Sequence, residues 1–357
     1  MPVPAVAPLH ASFDDVERIA VLRGGGIGDL VFALPAIAAL RAAHPGAEVV
    51  LLGMPAHAAL LDGRDVVDRV AVLPAVGGVR AGEEDPAATD AFLAGLPRFD
   101  LAVQLHGGGR NANPFLLRLG ARHTVGTGTP DATRLERTLH YDYFQHEVLR
   151  WLEVAGLAGA APVDLEPRLA ASDDELAEAR ERLGPGPVAV VHPGATDPRR
   201  HWPTERFAAV ASALAADGVG VAVVGDPSEV PVAEAVVRQA GHPRVRSLAG
   251  TLTLPGLVGV LAAADVVLAN DSGPRHLAQA LGAPTVGIFV FGNTINAMPF
   301  GRERHRIRLG RITACPVCGA DATQVGWTAL RCEHDPSYVA DVTVEDVLED
   351  VRDLLRG

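Results

Sequence analysis

The chain predicts an α/β fold built from parallel sheets covered by helices, with one α/β domain in each half. Three observations carry that expectation. Strand-like apolar runs alternate with helix-like segments along all 357 residues. Near the start, the buried-strand pattern Arg18–Arg23 runs into Gly24-Gly25-Gly26-Ile27-Gly28-Asp29 and then into an apolar helix. Far downstream, Ala264–Asn270 reads as a second buried strand, running into Asp271-Ser272-Gly273-Pro274 and another helix.

In the first half the predicted strands are Arg18–Arg23, Glu48–Leu52, Val66–Leu73, Phe99–Leu105 and a short Arg122–Val125. Helices fit between them at Asp29–Ala43, Pro55–Leu61, Pro86–Leu96 and Pro114–Leu119. The helix after Asp29 places Leu30, Leu34, Ile37 and Leu40 at near-helical spacing. A long helix, Tyr143–Gly156, leads out of this half, and the Ala-, Pro- and Gly-rich stretch Ala158–Pro167 marks the boundary. Ser172 followed by Glu175 is a capping signature for a charged helix to Leu183, ended by Gly184-Pro185-Gly186-Pro187.

The second half repeats the pattern. Strands are expected at Val188–Val191, Val219–Val224, Val245–Leu248, Asp265–Ala269 and Thr285–Phe289. Helices are expected at Thr204–Ala216, Val230–Ala240, Leu254–Ala263 and Pro274–Leu281, with a final amphipathic helix at Val342–Leu355. The expected domains are 1–160, 161–340 and a terminal helix, 341–357, packing back toward the first domain.

A hydrophobic content of 48% is ample for two cores, and aromatics at 4% leave those cores to Ala, Val and Leu. The net charge of −12 argues against a broad nucleic-acid footprint. Lys is absent, so any phosphate-binding cation must be Arg or His, and Arg offers a planar donor fork. Met1–Asp15 has no basic region before an apolar core, so no signal peptide is expected. The longest apolar runs fall short of the ~20 residues of a membrane span. The expected location is the cytoplasm, with at most peripheral contact at the inner membrane face, and the three Cys are expected to be reduced.

Three loops carry the candidate chemistry. A Gly-rich strand-to-helix turn lets a ligand approach the backbone, and the helix start favours negative charge. The dinucleotide pattern G-x-G-x-x-G from Gly24 fails because position 29 is Asp, and no acid ends the second strand to hold a ribose. A phosphate loop fails for want of a Lys. Asp29 is either a helix-start acid stabilised by the dipole or a general base that takes a proton from an acceptor hydroxyl as the new bond forms. Gly26 and Gly28 line the same turn.

The second loop, His192-Pro193-Gly194-Ala195 with Arg199-Arg200-His201-Trp202-Pro203, puts two cations at the top of a parallel sheet, where ligands bind. The alternative is a solvated surface pair. In the third loop, Pro274 fits the first helical position, which leaves the Ser272 hydroxyl and the N–H groups around Gly273 for phosphate oxygens. Asp271 suits a cap or an orienting role. His276 either reaches the ligand or packs. Acceptor recognition falls to first-half loops such as His106–Asn113 and Thr127–Arg137, with Arg110, Arg134 and Arg137 as candidates for an anionic acceptor, or as solvated surface groups.

Together these residues resemble glycosyltransferase family 9, the ADP-heptose:lipopolysaccharide heptosyltransferase family. The resemblance rests on R-x-G-x-x-G-D-x-x-x-x-x-P at Arg23–Pro35, on H-P-G-A and R-x-W-P within His192–Pro203, and on N-D-S-G-P-x-H-x-A at Asn270–Ala278. It implies a GT-B fold, with two Rossmann-like, doubly wound parallel-sheet domains facing a cleft, and an inverting transfer without a metal. Asp29 then matches the catalytic base, and Arg200 a cation on the donor phosphates. Ser272, Gly273 and His276 match the diphosphate loop, and Glu229 falls near the acid that holds the donor ribose. The expected donor is a nucleotide-diphospho-sugar, most readily ADP-heptose, and the acceptor a hydroxyl of a glycan, glycolipid or natural product. Nucleic acid is not expected as a partner. The alternative is a non-catalytic or epimerase-type sugar-nucleotide-binding protein on the same scaffold.

No cofactor is required by this chemistry. Cys315-Pro316-Val317-Cys318 with Cys332 and His334 offers C-x₂-C plus two further ligands, so a structural zinc is one option. The other is a set of small buried residues in an irregular loop.

Overall fold

The computed structural model describes residues 8–323 and 332–356. Of the stretch Met1–Asp15, in which no leader is expected, the first seven residues lie outside the described part. The chain folds as two compact units, residues 1–167 and 168–357.

In the first unit the chain runs β1 (Arg18–Leu22), α1 (Ile27–Ala43), β2 (Glu48–Gly53), α2 (Pro55–Leu61), β3 (Arg69–Val72), α3 (Pro86–Ala94) and β4 (Leu101–Gln104). It continues through α4 (Ala112–Leu117), β5 (His123–Gly128), β6 (Arg137–His140) and α5 (Glu147–Leu157). The six strands are parallel in the order β3-β2-β1-β4-β5-β6. This is the doubly wound order, and its switch point lies between β1 and β4. The central strands β1, β2 and β4 are nearly wholly buried, as strands covered on both faces must be. Helix α1 is apolar around most of its circumference, with Leu30–Ile37 buried, and packs on α5. It starts at Ile27, two residues before the predicted start, so Asp29 lies inside its first turn rather than ahead of it.

The second unit comprises α6 (Asp173–Leu183), β7 (Val188–His192), α7 (Thr204–Ala216), β8 (Gly220–Val223), α8 (Val230–Ala240) and β9 (Val245–Ser247). There follow α9 (Leu254–Ala262), β10 (Val266–Asn270), α10 (Gly273–Ala280), β11 (Thr285–Phe289), α11 (Phe291–Ala297), β12 (His305–Leu309) and α12 (Val344–Arg356). The sheet order is β9-β8-β7-β10-β11-β12, again parallel, with the switch point between β7 and β10. The predicted cap on α6 is present: Glu175 N–H donates to Ser172 Oγ at 3.2 Å and Ser172 N–H to Glu175 Oε2 at 2.8 Å.

Strands β6 and β12 and helix α11 were not expected. Both strands are sheet edges, and RTLH and HRIRL lack the continuous apolar run of a central strand. Arg306 and Arg308 of β12 instead pair with Asp353 and Asp350 of α12. Helix α12 buries Val347 and Val351 and packs on α7 and strands β10–β12 of its own unit. Among the described residues, no helix is long and apolar enough to cross a membrane.

Candidate functional site

The first unit's switch point presents the turn Arg23–Gly26. Gly25 has φ +83°, and a Cβ there would meet Asp29 Oδ2 at 2.5 Å, so glycine lets the carboxylate fold back over the turn. Asp29 Oδ2 accepts from Gly26 N–H at 2.8 Å, and Oδ1 accepts from Arg23 Nη2 at 3.1 Å. Arg23 is buried. Its Nε donates to Asp29 O at 2.8 Å, its Nη1 to Leu105 O at 2.5 Å, and its guanidinium lies 4.9 Å from the Trp151 ring centre. The Asp29 side chain is nonetheless 53% exposed. It is an oriented, ionic, solvent-facing carboxylate.

Two imidazoles flank this turn, His57 buried and His106 partly exposed. His57 Nδ1 accepts from Met54 N–H at 3.2 Å, so its Nε2–H donates to Gly26 O at 3.2 Å. Burial pushes His57 down to about 4, which keeps it neutral. His106 Nε2 donates to Gly78 O at 2.9 Å, and burial with nearby Arg23 lowers its pKa too. Gly24 sits so close to Val79 O and the His106 ring that a Cβ would collide with both.

At the second unit's switch point three loops meet. Asn270, at the end of β10, is fully buried and ties them: its Oδ1 accepts from Trp202 N–H at 3.1 Å, and its Nδ2 donates to Pro193 O at 2.7 Å. His192, at the end of β7, bridges Ser272 Oγ at 3.0 Å and Glu229 Oε2 at 3.1 Å. Burial works against the Glu229 charge, but the hydrogen bonds from His192 and the Asp226 N–H outweigh it, so the carboxyl titrates below its usual range. Glu229 is therefore ionised. His192 Nε2–H donates to it, and Nδ1 accepts from the Ser272 hydroxyl. Gly194 makes room, since a Cβ there would overlap Glu229 Oε1.

Ser272 occupies the N-cap position of α10 but makes no side-chain cap hydrogen bond, because its hydroxyl is turned to His192. The first turn of α10 thus starts uncapped by its own serine, with the positive end of the helix dipole there. Pro274 is the second helical residue rather than the first, since the helix begins at Gly273.

Behind this turn Asp271 is buried. Its Oδ1 accepts from His276 Nε2 at 3.0 Å and its Oδ2 from Asn293 Nδ2 at 2.5 Å, with Arg200 Nη1 at 3.7 Å. Burial opposes the charge, but His276, Arg200 and Asn293 together hold the carboxyl far below its ordinary value. Arg275 Nη2 donates to His276 Nδ1 at 2.6 Å, which fixes the tautomer that serves Asp271. Burial and Arg275 push His276 down to about 4.

The two adjacent cations separate. Arg199 is buried and forks onto Asp197, with Nε–Oδ1 at 2.9 Å and Nη2–Oδ2 at 2.5 Å. Arg200 is 31% exposed and reaches Asp271. In the first unit, Arg110 is an exposed partner of Asp131 at 3.4 Å. Arg137 is taken up by its own unit: it donates to Ala11 O at 2.8 Å and stacks on Phe13 at 3.7 Å. Gly28 lies in the first turn of α1 beside Asp29. His57 and Asn293 escaped sequence reasoning as site residues, for no motif marks them, and Arg23 was read as part of a motif but given no role. Apart from these loops, ligand atoms of Cys315, Cys318, Cys332 and His334 all lie within 4.8 Å of one another.

Known proteins resemble this chain over much of its length. It is 23% identical over 168 residues to the lipopolysaccharide core heptosyltransferase OpsX of Haemophilus influenzae, covering 46% of this chain and 47% of the relative. The chain spans about half the length of the curated relatives it matches. The glycosyl transferase family 9 structure from Veillonella parvula superposes with a TM-score of 0.78 at 18% identity, over 97% of this chain and 99% of that one. The E. coli heptosyltransferase WaaC with ADP-2-deoxy-2-fluoro heptose superposes with a TM-score of 0.63 at 25% identity, over 82% and 92%. The fold is the GT-B fold of two Rossmann-like domains. The family model described as glycosyltransferase family 9 (heptosyltransferase) matches residues 97–319, more than half of the sequence, and the chain belongs to that family.

Proposed function

We propose that this chain is an inverting glycosyltransferase that moves a heptose from ADP-heptose to a hydroxyl of a glycan, glycolipid or small-molecule acceptor. The observation that carries the reading is the second switch point, where Ser272 leaves the start of α10 uncapped beside Arg200. A diphosphate needs such a combination of helix N–H groups and a planar cation. Family membership supports transfer over an epimerase-type or purely binding role, and the donor analogue in the WaaC structure supports ADP-heptose.

In this mechanism the diphosphate lies on Gly273 and the first turn of α10, with Ser272 and Arg200 on its oxygens. Glu229, oriented by His192 and given room by Gly194, accepts from the donor ribose hydroxyls. Asp271 holds Arg200 in place, and His276 holds Asp271, since both ring nitrogens of His276 are already engaged. As the bond between the anomeric carbon and the leaving phosphate oxygen breaks, its electron pair departs with ADP. Arg200 and the helix start stabilise that growing charge. The acceptor oxygen bonds to the anomeric carbon from the opposite face, and its proton passes to an Asp29 carboxylate oxygen. Arg23 and the Gly26 N–H hold that carboxylate in one orientation. Gly26, Gly28, His106 and Arg110 lie on the acceptor side. The reaction runs on the cytoplasmic face, with the donor as substrate rather than cofactor.

A thermal-shift panel of ADP, UDP, GDP and dTDP, with ADP-heptose beside hexose donors, tests the donor. The reading predicts stabilisation selective for ADP and ADP-heptose. Stabilisation by another nucleotide alone would discard the heptose, and none at all would discard the donor site.

A further inference from the structure

The second unit holds a ligand set that the transfer chemistry does not use. Cys315-Pro316-Val317-Cys318-Gly319 forms a tight turn, flanked by an antiparallel bridge between Ala314 and Asp321. Cys315 N–H donates to Ala320 O at 2.7 Å and Gly319 N–H to Cys315 O at 2.8 Å. Gly319 has φ +75°, so the turn needs a residue free to enter the left-handed region.

Cys332 and His334 arrive from a distant stretch of chain to complete the group, all four ligand atoms lying within 4.8 Å of one another. A tetrahedral zinc, with Zn–S of about 2.3 Å and Zn–N of about 2.0 Å, spaces three sulfurs and one nitrogen about 3.5–3.8 Å apart. Side-chain shifts of about 1 Å would bring these four to that spacing. Three soft thiolates exclude magnesium and calcium, and four protein ligands with no open position describe a closed, structural site. We propose that Cys315, Cys318, Cys332 and His334 bind one zinc ion.

The ion would fix a segment that props the cation-bearing loop. Just beyond His334, Ser337 Oγ donates to His201 O at 2.6 Å and Tyr338 N–H to Arg199 O at 2.8 Å. Trp202 Nε1 donates to Val342 O at 3.0 Å. Zinc thus ties the Cys turn to the segment that leads into Tyr338 and sets the bed on which Arg199–Trp202 lies. The site stands on its own ligand geometry and does not depend on the identity of the donor.

The test uses the full chain, expressed in zinc-supplemented medium. Elemental analysis is expected to find about one zinc per chain. Replacement by cobalt is expected to give thiolate-to-cobalt charge-transfer bands in the near ultraviolet and the intense visible bands of a tetrahedral ion. A strong chelator is expected to lower the melting temperature, and added zinc to restore it. Cys318 is exposed, so Cys318→Ser removes a ligand without opening a core, and it is expected to lose the metal. Should that variant precipitate, cobalt titration of the chelated wild type decides alone. A folded wild type with no zinc and no cobalt–thiolate bands would overturn the proposal. So would stoichiometric iron in place of zinc, or full zinc retention by Cys318→Ser.

Discussion

The two units present the same topological device and use it differently. Each is a six-stranded parallel sheet in the 3-2-1-4-5-6 order, and each carries an aspartate at the switch-point loop. Asp29 has 53% of its side chain exposed, while Asp271 has 2%. Arg23 and one backbone N–H hold the first carboxylate and leave a face to solvent. His276, Asn293 and Arg200 surround the second. Position in the motif does not assign chemistry to an acid; what surrounds it does. An exposed, oriented carboxylate can meet a substrate hydroxyl. A buried one, with its lone pairs already engaged, can only hold other groups.

That contrast is open to attack by substitution. Asp29→Asn is expected to lower the transfer rate by ~10²–10⁴-fold, the range for loss of a general base. Stability should change less than in the next variant, because the isosteric amide keeps an oxygen to accept from Arg23 and the Asp29 side chain is half exposed. ADP release from ADP-heptose, assayed over a panel of sugar and glycolipid acceptors, reads the first effect, and the melting temperature the second. A variant of undiminished rate would remove Asp29 from the reaction.

Asp271→Ala should invert the pattern. Removing one partner from a buried ionic cluster leaves Arg200 and His276 uncompensated, at a cost of about 3–5 kcal/mol. Denaturant unfolding measures this, and a loss below about 1 kcal/mol would mean that Asp271 does not hold the cluster together.

A third effect comes from pH. His276 and His57 titrate near 4 in the folded chain, against an ordinary value of 6.5. As pH falls, the unfolded chain takes up these protons first, so stability is full above 6.5 and declines toward 4. Asp271, lowered from 3.8, adds its own loss only at still lower pH. The denaturation midpoint should therefore decline between about pH 6.5 and 4.5. A flat midpoint over that window would contradict neutral, buried imidazoles at the two loops.

Much of this was legible in the sequence, for reasons specific to each segment. Strands β7 and β10 are buried throughout, so their apolar runs stand out. The α6 cap could be read because both partners are three residues apart. Edge strands β6 and β12 were hidden because their stability comes from one neighbouring strand and, for β12, from ion pairs with a helix about 40 residues on. Arg199 and Arg200 are indistinguishable in sequence; Asp197, two residues back, captures one and leaves the other. Glu229 could be placed only loosely, since its partner Gly194 lies on another loop. The Cys group could be read whole, as C-x₂-C followed by Cys332 and His334, and the structure brings the four ligand atoms together.

The most direct test of the division between the two loops is calorimetric titration of ADP into the wild type, Asp29→Asn and Arg200→Ala. The account predicts that Asp29→Asn leaves the Kd within about twofold, while Arg200→Ala weakens it by about 10–100-fold, the loss of a charge-assisted contact. Nucleotide affinity lost with Asp29 and kept without Arg200 would contradict it.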